Sequence, residues 1–362
     1  MFSNITLVAG ARPNFMKIAP IIDAIKKNAS DIISFKLIHT GQHYDKNMSE
    51  RFFEQLSLPY PDVILSISGT TQAEQTASIM IGFEKFLLSN PTDLVLVVGD
   101  VTSTMACAIV AQKLGIKVAH IEAGIRSGDW KMPEEINRLI TDAITNFFFT
   151  TTENATENLL KSGVSSEKIF FVGNTMIDTL LKNRVNFTPP DFWTEISLSP
   201  KKYFVITFHR PSNVDDPQNL KSILDHILEN TADLLVVFPV HPRTKKVLEA
   251  LNYTHPKLYL TQPLGYFEFN YLVDNSIAVI TDSGGITEET TVLGIPCLTL
   301  RDTTERPETV EIGTNELIGN DPKNLEKYLK ILFNGNWKKG LVPTYWDGKT
   351  GERIVDVLLK LN

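Results

Sequence analysis

Short apolar stretches alternate with longer amphipathic stretches along most of this chain. Residues 4–9, 94–98 and 117–121 are rich in β-branched and other apolar side chains, which is typical of buried strands. The stretches between them repeat their apolar residues at the spacing of one helix face. Because strands and helices alternate in this way, the pattern predicts mostly parallel, doubly wound sheets with helices on both faces.

The predicted helix at residues 14–28 contains Pro20. A proline removes one helical hydrogen bond, so it argues against regular first turns in this helix. The other helices predicted in this half are residues 48–56, 72–88, 103–114, 133–144 and a helix near 154–161.

Residues 186–201 interrupt the alternation, because they contain three prolines and show no clear period. Strands and helices alternate again from residue 203 to a last helix at 351–361. We therefore predict two α/β domains of similar size, joined by residues 186–201.

Composition narrows the class of protein. The 362 residues are 43% hydrophobic and 21% charged, which excludes a disordered chain. The net charge of −7 argues against a general polyanion binder but allows a phosphorylated small molecule. Two distant cysteines, Cys107 and Cys297, exclude a disulfide framework and favour a reducing compartment. Together with the lack of a signal-peptide pattern, this predicts a cytoplasmic protein without membrane spans.

Polar or glycine-rich sequences directly follow five of the predicted strands. They are residues 10–13, 99–100, 120–124, 209–210 and 282–285. In an open parallel sheet, the carboxyl ends of the strands form one edge, and ligands bind there. We therefore expect these sequences to line a binding site.

Ser283, Gly284 and Gly285 begin a predicted helix, where backbone N–H groups and the helix dipole favour an anion. The alternative is an ordinary strand–helix turn with Ser283 or Asp282 as the helix cap. Glu289, in the first turns of the same helix, either interacts with the helix dipole or holds ribose hydroxyls.

Two basic residues near the first strand are candidates for phosphate binding. Arg12 and Lys17 lie at the beginning of the first helix, and the alternative is that both are solvated charges. His209 followed by Arg210 at a strand end suits a diphosphate or another leaving group. The alternative for His209 is a hydrogen bond to the backbone.

Four carboxylates, Asp100, Glu122, Glu134 and Glu135, lie near one edge of the predicted sheet and are candidates for acid–base chemistry. Carboxylates in different environments can take separate acid and base roles. Glu134 follows a proline at a helix start, so the alternative for Glu134 is a simple interaction with the helix dipole. The charged sequence at 301–308, which includes Arg306, either lines the site or forms a solvated loop.

Several familiar motifs are missing. There is no Gly-x-Gly-x-x-Gly after the first strand, so a dinucleotide cofactor is not indicated. Residues 348–350 resemble the end of a phosphate-binding loop, but Pro343 occupies the position of its first glycine. No Cys–His cluster or His-Glu-x-x-His exists, so we expect neither a metal nor a cofactor.

Together, these motifs resemble the UDP-N-acetylglucosamine 2-epimerase family, most closely its non-hydrolysing type. The motifs that carry the resemblance are residues 10–13, 40–43, 98–100, 120–128, 132–138, 173–175, 208–210, 281–286 and 301–308. It implies a GT-B-like fold of two Rossmann-type domains with an interdomain cleft. The expected domains are residues 1–185, with the terminal helix 350–362 packed back on them, and a UDP-binding domain at 186–349.

The resemblance also implies the reaction, which is reversible C2 epimerisation of UDP-N-acetylglucosamine through elimination and re-addition of UDP, without a cofactor. The implied catalytic residues are Asp100, Glu122, Glu134 and His209. The implied UDP-binding residues are Arg12, Lys17, His209, Arg210, Ser283, Gly284, Gly285 and Arg306, with Glu289 on the ribose and the backbone of Phe269 on the uracil. A homodimer that supplies surface polysaccharide synthesis is expected.

Some positions depart from the family pattern. Residues 211–213 are Pro-Ser-Asn where Arg-Glu-Asn is common, and Thr287 replaces a usual glutamine. Gln42, His43 and His241 match an allosteric site, but Asp45 occupies a position where regulated members have glutamine. The sequence at 10–13 also resembles members that act on diacetamido uronic acid sugars. A hydrolysing epimerase, a GT-B glycosyltransferase and a non-catalytic nucleotide-sugar sensor remain alternatives.

Overall fold

The computed structural model describes residues 2–41 and 53–361, apart from the side chains of Arg12 and Pro211. The chain divides into two compact units. The first comprises Met1–Lys182 and Thr344–Asn362, and the second comprises Asn183–Pro343. Each unit is built on its own parallel sheet, which confirms the predicted fold class of two doubly wound, Rossmann-type α/β units.

The first unit contains a seven-stranded sheet in the order β3-β2-β1-β4-β5-β6-β7. Its strands are β1 (Asn4–Ala9), β2 (Ser34–His39), β3 (Val63–Ile64), β4 (Leu94–Val98), β5 (Lys117–Ile121), β6 (Phe147–Thr150) and β7 (Ile169–Phe171). The chain adds strands on one side of β1 and then on the other, so the connections diverge between β1 and β4. Doubly wound sheets bind their ligands at such a point.

Helices cover both faces of this sheet, as the amphipathic pattern predicted. They are α1 (Arg12–Asn28), α2 (Gln72–Ser89), α3 (Thr102–Lys113), α4 (Pro133–Ile144), α5 (Glu153–Lys161) and α6 (Thr175–Asn183). The sequence pattern missed α6 and the two-residue strand β3. Most of the helix predicted at 48–56 lies outside the described residues.

The expectation of disturbed first turns in α1 is wrong, because the helix runs without a break from Arg12 to Asn28. Pro20 has no N–H to donate to the carbonyl of Met16, four residues earlier. Thr179 of α6 replaces that donor, since its hydroxyl donates to the Met16 oxygen at 2.6 Å. A tertiary hydrogen bond therefore compensates for the proline.

The second unit contains a six-stranded parallel sheet in the order β10-β9-β8-β11-β12-β13. Its strands are β8 (Tyr203–Thr207), β9 (Leu235–Pro239), β10 (Leu258–Thr261), β11 (Ala278–Thr281), β12 (Cys297–Thr299) and β13 (Asn315–Leu317). Its helices are α7 (Phe192–Glu195), α8 (Pro211–Val214), α9 (Pro217–Asn230), α10 (Pro242–Ala250), α11 (Tyr266–Asn275), α12 (Gly284–Leu293), α13 (Pro307–Glu311) and α14 (Asn324–Phe333). The sequence pattern missed β13 and the short helices α7, α8 and α13.

The proline-rich residues 186–201 pack on the second unit. The ring of Trp193 lies 5.6 Å from that of Tyr203 and 5.1 Å from that of Tyr271, centroid to centroid. Phe192 packs on Tyr259 at 4.9 Å. Aromatic contacts therefore order a segment that has no periodic pattern.

The last helix, α15 (Thr350–Lys360), belongs to the first unit and packs against α1. Gly351 allows this close approach, because a Cβ there would lie 2.4 Å from the carbonyl oxygen of Pro20. The carboxylate of Asp178 accepts a hydrogen bond from the Gly351 N–H at 2.8 Å and so caps the helix start. Among the described residues, no helix combines the length and apolar character that crossing a membrane requires.

Candidate active site

Asn14 holds the turn between β1 and α1 against the end of β4. Its Oδ1 accepts hydrogen bonds from the N–H groups of Gly10 at 3.1 Å and Ala11 at 2.9 Å. Its Nδ2 donates to the carbonyl oxygen of Val98 at 3.2 Å. The beginning of α1, which carries Lys17, is therefore fixed beside the point where the sheet connections diverge.

Lys17 and Glu122 form an ion pair there, with side chains that are 12% and 7% exposed. Glu122 has a φ of +74°, a left-handed conformation that residues with a Cβ rarely adopt. The carbonyl of Phe149 on β6 accepts the N–H groups of Glu122 at 3.0 Å and Ala123 at 3.1 Å, which stabilises this turn. Strained backbone of this kind clusters at functional sites, so Glu122 is a candidate for the chemistry.

Asp100 follows β4, and two residues of α4 hold it, one through its side chain and one through its backbone. Arg138 Nε donates to Asp100 Oδ2 at 3.1 Å, and Asn137 Nδ2 donates to the Asp100 carbonyl oxygen at 2.8 Å. The Asp100 side chain remains 32% exposed. Because β4 and β5 are paired, Asp100 and Glu122 both follow the carboxyl ends of neighbouring strands. We call Lys17, Asp100, Glu122 and Arg138 the carboxylate cluster.

The buried face of α4 is polar instead of apolar. Its buried residues are Glu135, Asn137, Arg138, Thr141 and Asp142. Ile136 of the same helix is 42% exposed. A helix that turns its charged residues inward must satisfy them there, since unpaired buried charges are costly.

Glu135 connects α4 to the loop before it. Its carboxylate accepts the N–H groups of Ser127 at 2.9 Å and Gly128 at 3.1 Å, and Arg138 Nη1 lies 2.5 Å from it. Burial raises the pKa of Glu135, but these hydrogen bonds and the Arg138 charge outweigh burial and lower the pKa below its usual value. Glu135 therefore stays ionised and helps to fix Arg138, the partner of Asp100.

The structure thus brings Lys17, Asp100 and Glu122 to one edge, and it places half-buried Glu134 in the first turn of α4. Sequence reasoning placed Glu135 among the carboxylates of this edge but did not select Arg138 as a site residue. The charged positions 135, 138 and 142, spaced along one face of a helix with an exposed isoleucine, are the signal that could have found Arg138.

In the second unit, Asp282 organises the loop after β8. Its buried carboxylate accepts the N–H groups of His209 at 3.1 Å and Arg210 at 2.9 Å, and Asn213 Nδ2 at 3.0 Å. Burial raises the pKa of Asp282, but His209 and these hydrogen bonds lower it overall below its usual value. Asp282 therefore acts as an ionised hub for the loop. The described contacts do not show it capping α12.

His209 is oriented by this hub. Its Nδ1 lies 2.8 Å from Asp282 Oδ1, and its side chain is 61% exposed. Arg210 is fixed beside it, because its Nε donates to the Asp282 carbonyl oxygen at 3.2 Å. Since Nδ1 faces the carboxylate, Nε2 is the ring nitrogen that His209 can offer to a ligand.

The helix start at Ser283, Gly284 and Gly285, which we call the glycine turn, has no side-chain cap from Ser283. The first N–H groups of a helix lack acceptors within it, and the dipole favours negative charge there. A Cβ on Gly284 would lie 2.4 Å from Glu305 Oε1, whereas nothing among the described residues lies within 4 Å of a Cβ on Gly285. The space at Gly285 therefore suits an anion such as a phosphate.

The alternative of a solvated loop at 301–308 does not hold for its arginines. Arg301 is 3% exposed and pairs with Glu305. Arg306 is 6% exposed, and its Nε lies 2.6 Å from Glu288 Oε1. Burial raises the pKa of Glu305, but Arg301 and Arg306 outweigh burial and hold that pKa at about 2. A buried ion pair therefore lies close to Gly284, since a Cβ placed there would be 2.4 Å from Glu305 Oε1 and 3.4 Å from Arg301 Nη1.

Glu289 is buried in α12, and its Oε1 accepts a hydrogen bond from Tyr266 Oη at 3.3 Å. Burial raises the pKa of Glu289 to about 7, although Tyr266 and Asn270 act to lower it. Phe269 lies within α11, and its N–H already donates to the Gly265 carbonyl at 3.0 Å.

The remaining candidates are spread over the molecule. Arg12 is the first residue of α1, and its side chain is outside the described atoms. Gln42 and His43 lie outside the described residues. His241 caps α10, since its Nδ1 accepts the Arg243 N–H at 3.3 Å. In the described part of the chain, no group of three or more His, Cys, Asp or Glu residues is arranged to hold a metal ion.

Each of the two parallel-sheet units thus carries charged side chains or a glycine-rich helix start at the carboxyl ends of its strands, where open α/β sheets of enzymes bind their ligands. The family model for UDP-N-acetylglucosamine 2-epimerase matches residues 24–359. The chain therefore belongs to the UDP-N-acetylglucosamine 2-epimerase family.

Individual relatives agree with this assignment. The chain is 43% identical to a UDP-N-acetylglucosamine 2-epimerase of Methanocaldococcus jannaschii, with 98% of each chain covered. It is 39% identical to a UDP-2,3-diacetamido-2,3-dideoxy-D-glucuronate 2-epimerase of Pseudomonas aeruginosa, with 99% of each covered. It is also similar to a crystal structure of the M. jannaschii enzyme in complex with UDP-GlcNAc and UDP, with a TM-score of 0.87, 43% identity and 99% of each chain covered.

Proposed function

We propose that this protein interconverts UDP-N-acetylglucosamine and UDP-N-acetylmannosamine by inverting C2, without net hydrolysis and without a cofactor. Family membership supports an epimerase, and the M. jannaschii relative supports the substrate. The observation that carries the proposal is the position of Glu122, in its left-handed conformation and paired with Lys17, and of partly exposed Asp100 just after the carboxyl ends of neighbouring strands.

The chemistry requires an indirect route, because the C2 hydrogen has no adjacent carbonyl to acidify it. A carboxylate of the cluster removes the C2 proton as the bond from C1 to the diphosphate oxygen breaks. The electron pair of the C–H bond forms a C1=C2 double bond, and UDP leaves with the pair of the C1–O bond. In the second step, the diphosphate oxygen adds to C1 and a carboxyl group delivers a proton to the opposite face of C2. The 2-acetamidoglucal is therefore the intermediate.

The leaving diphosphate needs fixed positive charge that does not have to reorganise. We assign this role to the glycine turn, to His209 through Nε2, and to Lys17, Arg12, Arg210 and Arg306. Glu289 serves the ribose. Asp100, Glu122 and Glu134 share the proton transfers, since Lys17 and Arg138 hold the first two in fixed positions.

Proton NMR in D₂O tests this proposal. We expect deuterium from solvent at C2 of both UDP-sugars, with no net loss of UDP-sugar. Release of free UDP and N-acetylmannosamine would show the hydrolysing alternative, because water would replace UDP in the second step. Absence of C2 exchange with bound nucleotide sugar would contradict the epimerase proposal.

A second sugar substrate has specific support. The relative from P. aeruginosa is named for a diacetamido glucuronate, and residues 10–13 resemble members of that kind. A competition assay with both UDP-sugars decides between them, since the true substrate has the larger kcat/KM. We further propose a cytoplasmic homodimer that supplies surface polysaccharide synthesis. Light scattering that shows a monomer at working concentration would contradict the dimer.

A further inference from the structure

His120 is fully buried on β5, two residues before Glu122, and the reaction proposed above does not use it. Both of its ring nitrogens have partners. Nε2 lies 2.8 Å from the carbonyl oxygen of Gly99, and Nδ1 lies 2.7 Å from Asp142 Oδ1. A carbonyl oxygen only accepts hydrogen bonds, so Nε2 must carry a hydrogen.

Asp142 orients the ring through the other nitrogen. While one of its oxygens faces His120 Nδ1, its second oxygen accepts the N–H of Gly124 at 3.1 Å and lies 2.6 Å from Arg126 Nη1. The Asp142 carboxylate is thus held on three sides, and it fixes the orientation in which His120 directs Nε2 at the Gly99 carbonyl.

The group that His120 holds is the turn before Asp100. Gly99 has a φ of +67°. Its N–H donates to the Ile121 carbonyl at 3.0 Å, while its carbonyl accepts from His120. Both polar groups of Gly99 are thus tied to β5, the strand that leads into Glu122.

The same turn lies beside the ion pair of the site. A Cβ placed on Gly99 would lie 3.3 Å from Lys17 Nζ and 3.7 Å from Glu122 Oε2. A shift of this turn would therefore change the distance between Asp100 and Glu122. Helix α4 restrains this region twice. Its Asp142 holds His120, and its Arg138, one helical turn away, holds Asp100.

We propose that His120, held by Asp142, is a positioning residue that fixes Gly99 and thereby the separation of the Asp100 and Glu122 carboxylates. The inference rests on the proposed function, since those carboxylates are its proton-transfer groups. Displacement of reacting groups by about 1 Å can cost about a hundredfold in rate, so the effect falls on kcat and leaves KM nearly unchanged.

Two amide variants separate the two contacts of His120. His120→Gln places an N–H₂ near the position of Nε2, so it can keep the bond to Gly99. His120→Asn places its amide near the position of Nδ1, so it can reach Asp142 but not Gly99. We expect kcat to fall about a hundredfold in His120→Asn and less than about tenfold in His120→Gln, with KM within about threefold in both.

Asn146 provides the control at the opposite end of β5. Its Oδ1 accepts the Val118 N–H at 2.9 Å and Gln112 Nε2 at 2.6 Å. Asn146→Ala should lower thermal stability and leave kcat unchanged. Equal loss of kcat in both His120 variants, or a similar loss in Asn146→Ala, would show that strand stability alone matters and would overturn the proposal.

A second measurement does not depend on activity. NMR of ¹⁵N-histidine-labelled protein should show that Nε2 of His120 carries a hydrogen, as its bond to the Gly99 carbonyl requires. A ring without a hydrogen on Nε2 in the unmodified protein would overturn the inference. If that hydrogen is present but the unmodified protein shows no C2 exchange, the proposed function fails while the His120 geometry stands.

Discussion

The carboxylate cluster of the first unit and the glycine turn of the second occupy equivalent edges of two parallel sheets, but they are built differently. The first is an array of side-chain charges, in which Lys17 pairs with Glu122 and Arg138 pairs with Asp100. The second relies on backbone N–H groups at a helix start, and its main ionised carboxylate, Asp282, is directed inward to organise a loop.

This difference follows from what each part must do in the proposed reaction. A proton-transfer group has to change its charge, so it needs neighbouring charges that control both states. The diphosphate oxygen gains negative charge when the C1–O bond breaks, and fixed backbone dipoles stabilise that charge without having to reorganise. The comparison predicts that variants of Asp100 and Glu122 impair turnover, whereas variants of the glycine turn weaken UDP binding.

The largest expected effect is on turnover. Glu122→Gln keeps the side-chain shape but cannot transfer a proton, so kcat should fall by about 10³-fold or more. The Kd for UDP should change by less than about threefold, as measured by calorimetry. If UDP affinity falls as much as kcat, the assignment of turnover to the carboxylates and of UDP binding to the glycine turn is wrong.

Gly285→Ala tests the glycine turn. A Cβ there meets no described atom within 4 Å, so the fold should tolerate the methyl group. The methyl group would occupy the space proposed for the diphosphate, and the Kd for UDP should rise at least about tenfold.

Gly82→Ala is the matched control for this variant. Its Cβ would make ordinary contacts of 3.7 Å with Leu65 and lies in helix α2. Both variants should melt at or above the temperature of the unmodified protein, and only Gly285→Ala should lose UDP affinity. An unchanged Kd for UDP in Gly285→Ala would show that the diphosphate does not bind at this helix start.

Glu289 gives the second unit a pH dependence in its ligand-free state. Burial raises the pKa of Glu289 to about 7 from an ordinary value of 4.5. Between these two pH values the folded protein therefore binds more protons than the unfolded chain. The stabilising contribution is complete below pH 4.5 and is lost as pH rises through 7. The free energy of unfolding should fall by about 3 kcal/mol from this group.

Denaturant unfolding of the unmodified protein and Glu289→Gln across this pH range measures the effect. The difference between the two proteins should change with pH in the direction given. A parallel pH dependence in both would contradict the assignment to Glu289.

The smallest effect concerns the scaffold of the first unit. Thr179→Val leaves the Met16 carbonyl without its donor and should cost about 1–2 kcal/mol of stability, with no change in kcat. Pro20→Ala in the same protein restores a backbone N–H for Met16 and should recover part of the loss. Additive losses in the double variant would contradict this explanation of Pro20.

Local sequence determined most of the architecture. Apolar periodicity reports which side of a segment is buried, so most strands and the alternation of elements were predictable. The span of α4 was also predicted correctly, although the side that it buries is polar. Motif position also indicated Asp100, Glu122, His209 and the glycine turn, because each directly follows an apolar strand. Short elements such as β3 and α13 were missed, since two to five residues carry too little periodic signal.

Only the tertiary structure decided which polar residues contact each other. The sequence does not show that Asp282 serves the loop at His209, that Thr179 compensates for Pro20, or that Asp142 pairs with His120. These are hydrogen bonds between residues distant along the chain, and a local pattern cannot encode them. The polar inner face of α4 has the same cause, because its charges are stable only where neighbouring strands and loops bring their partners.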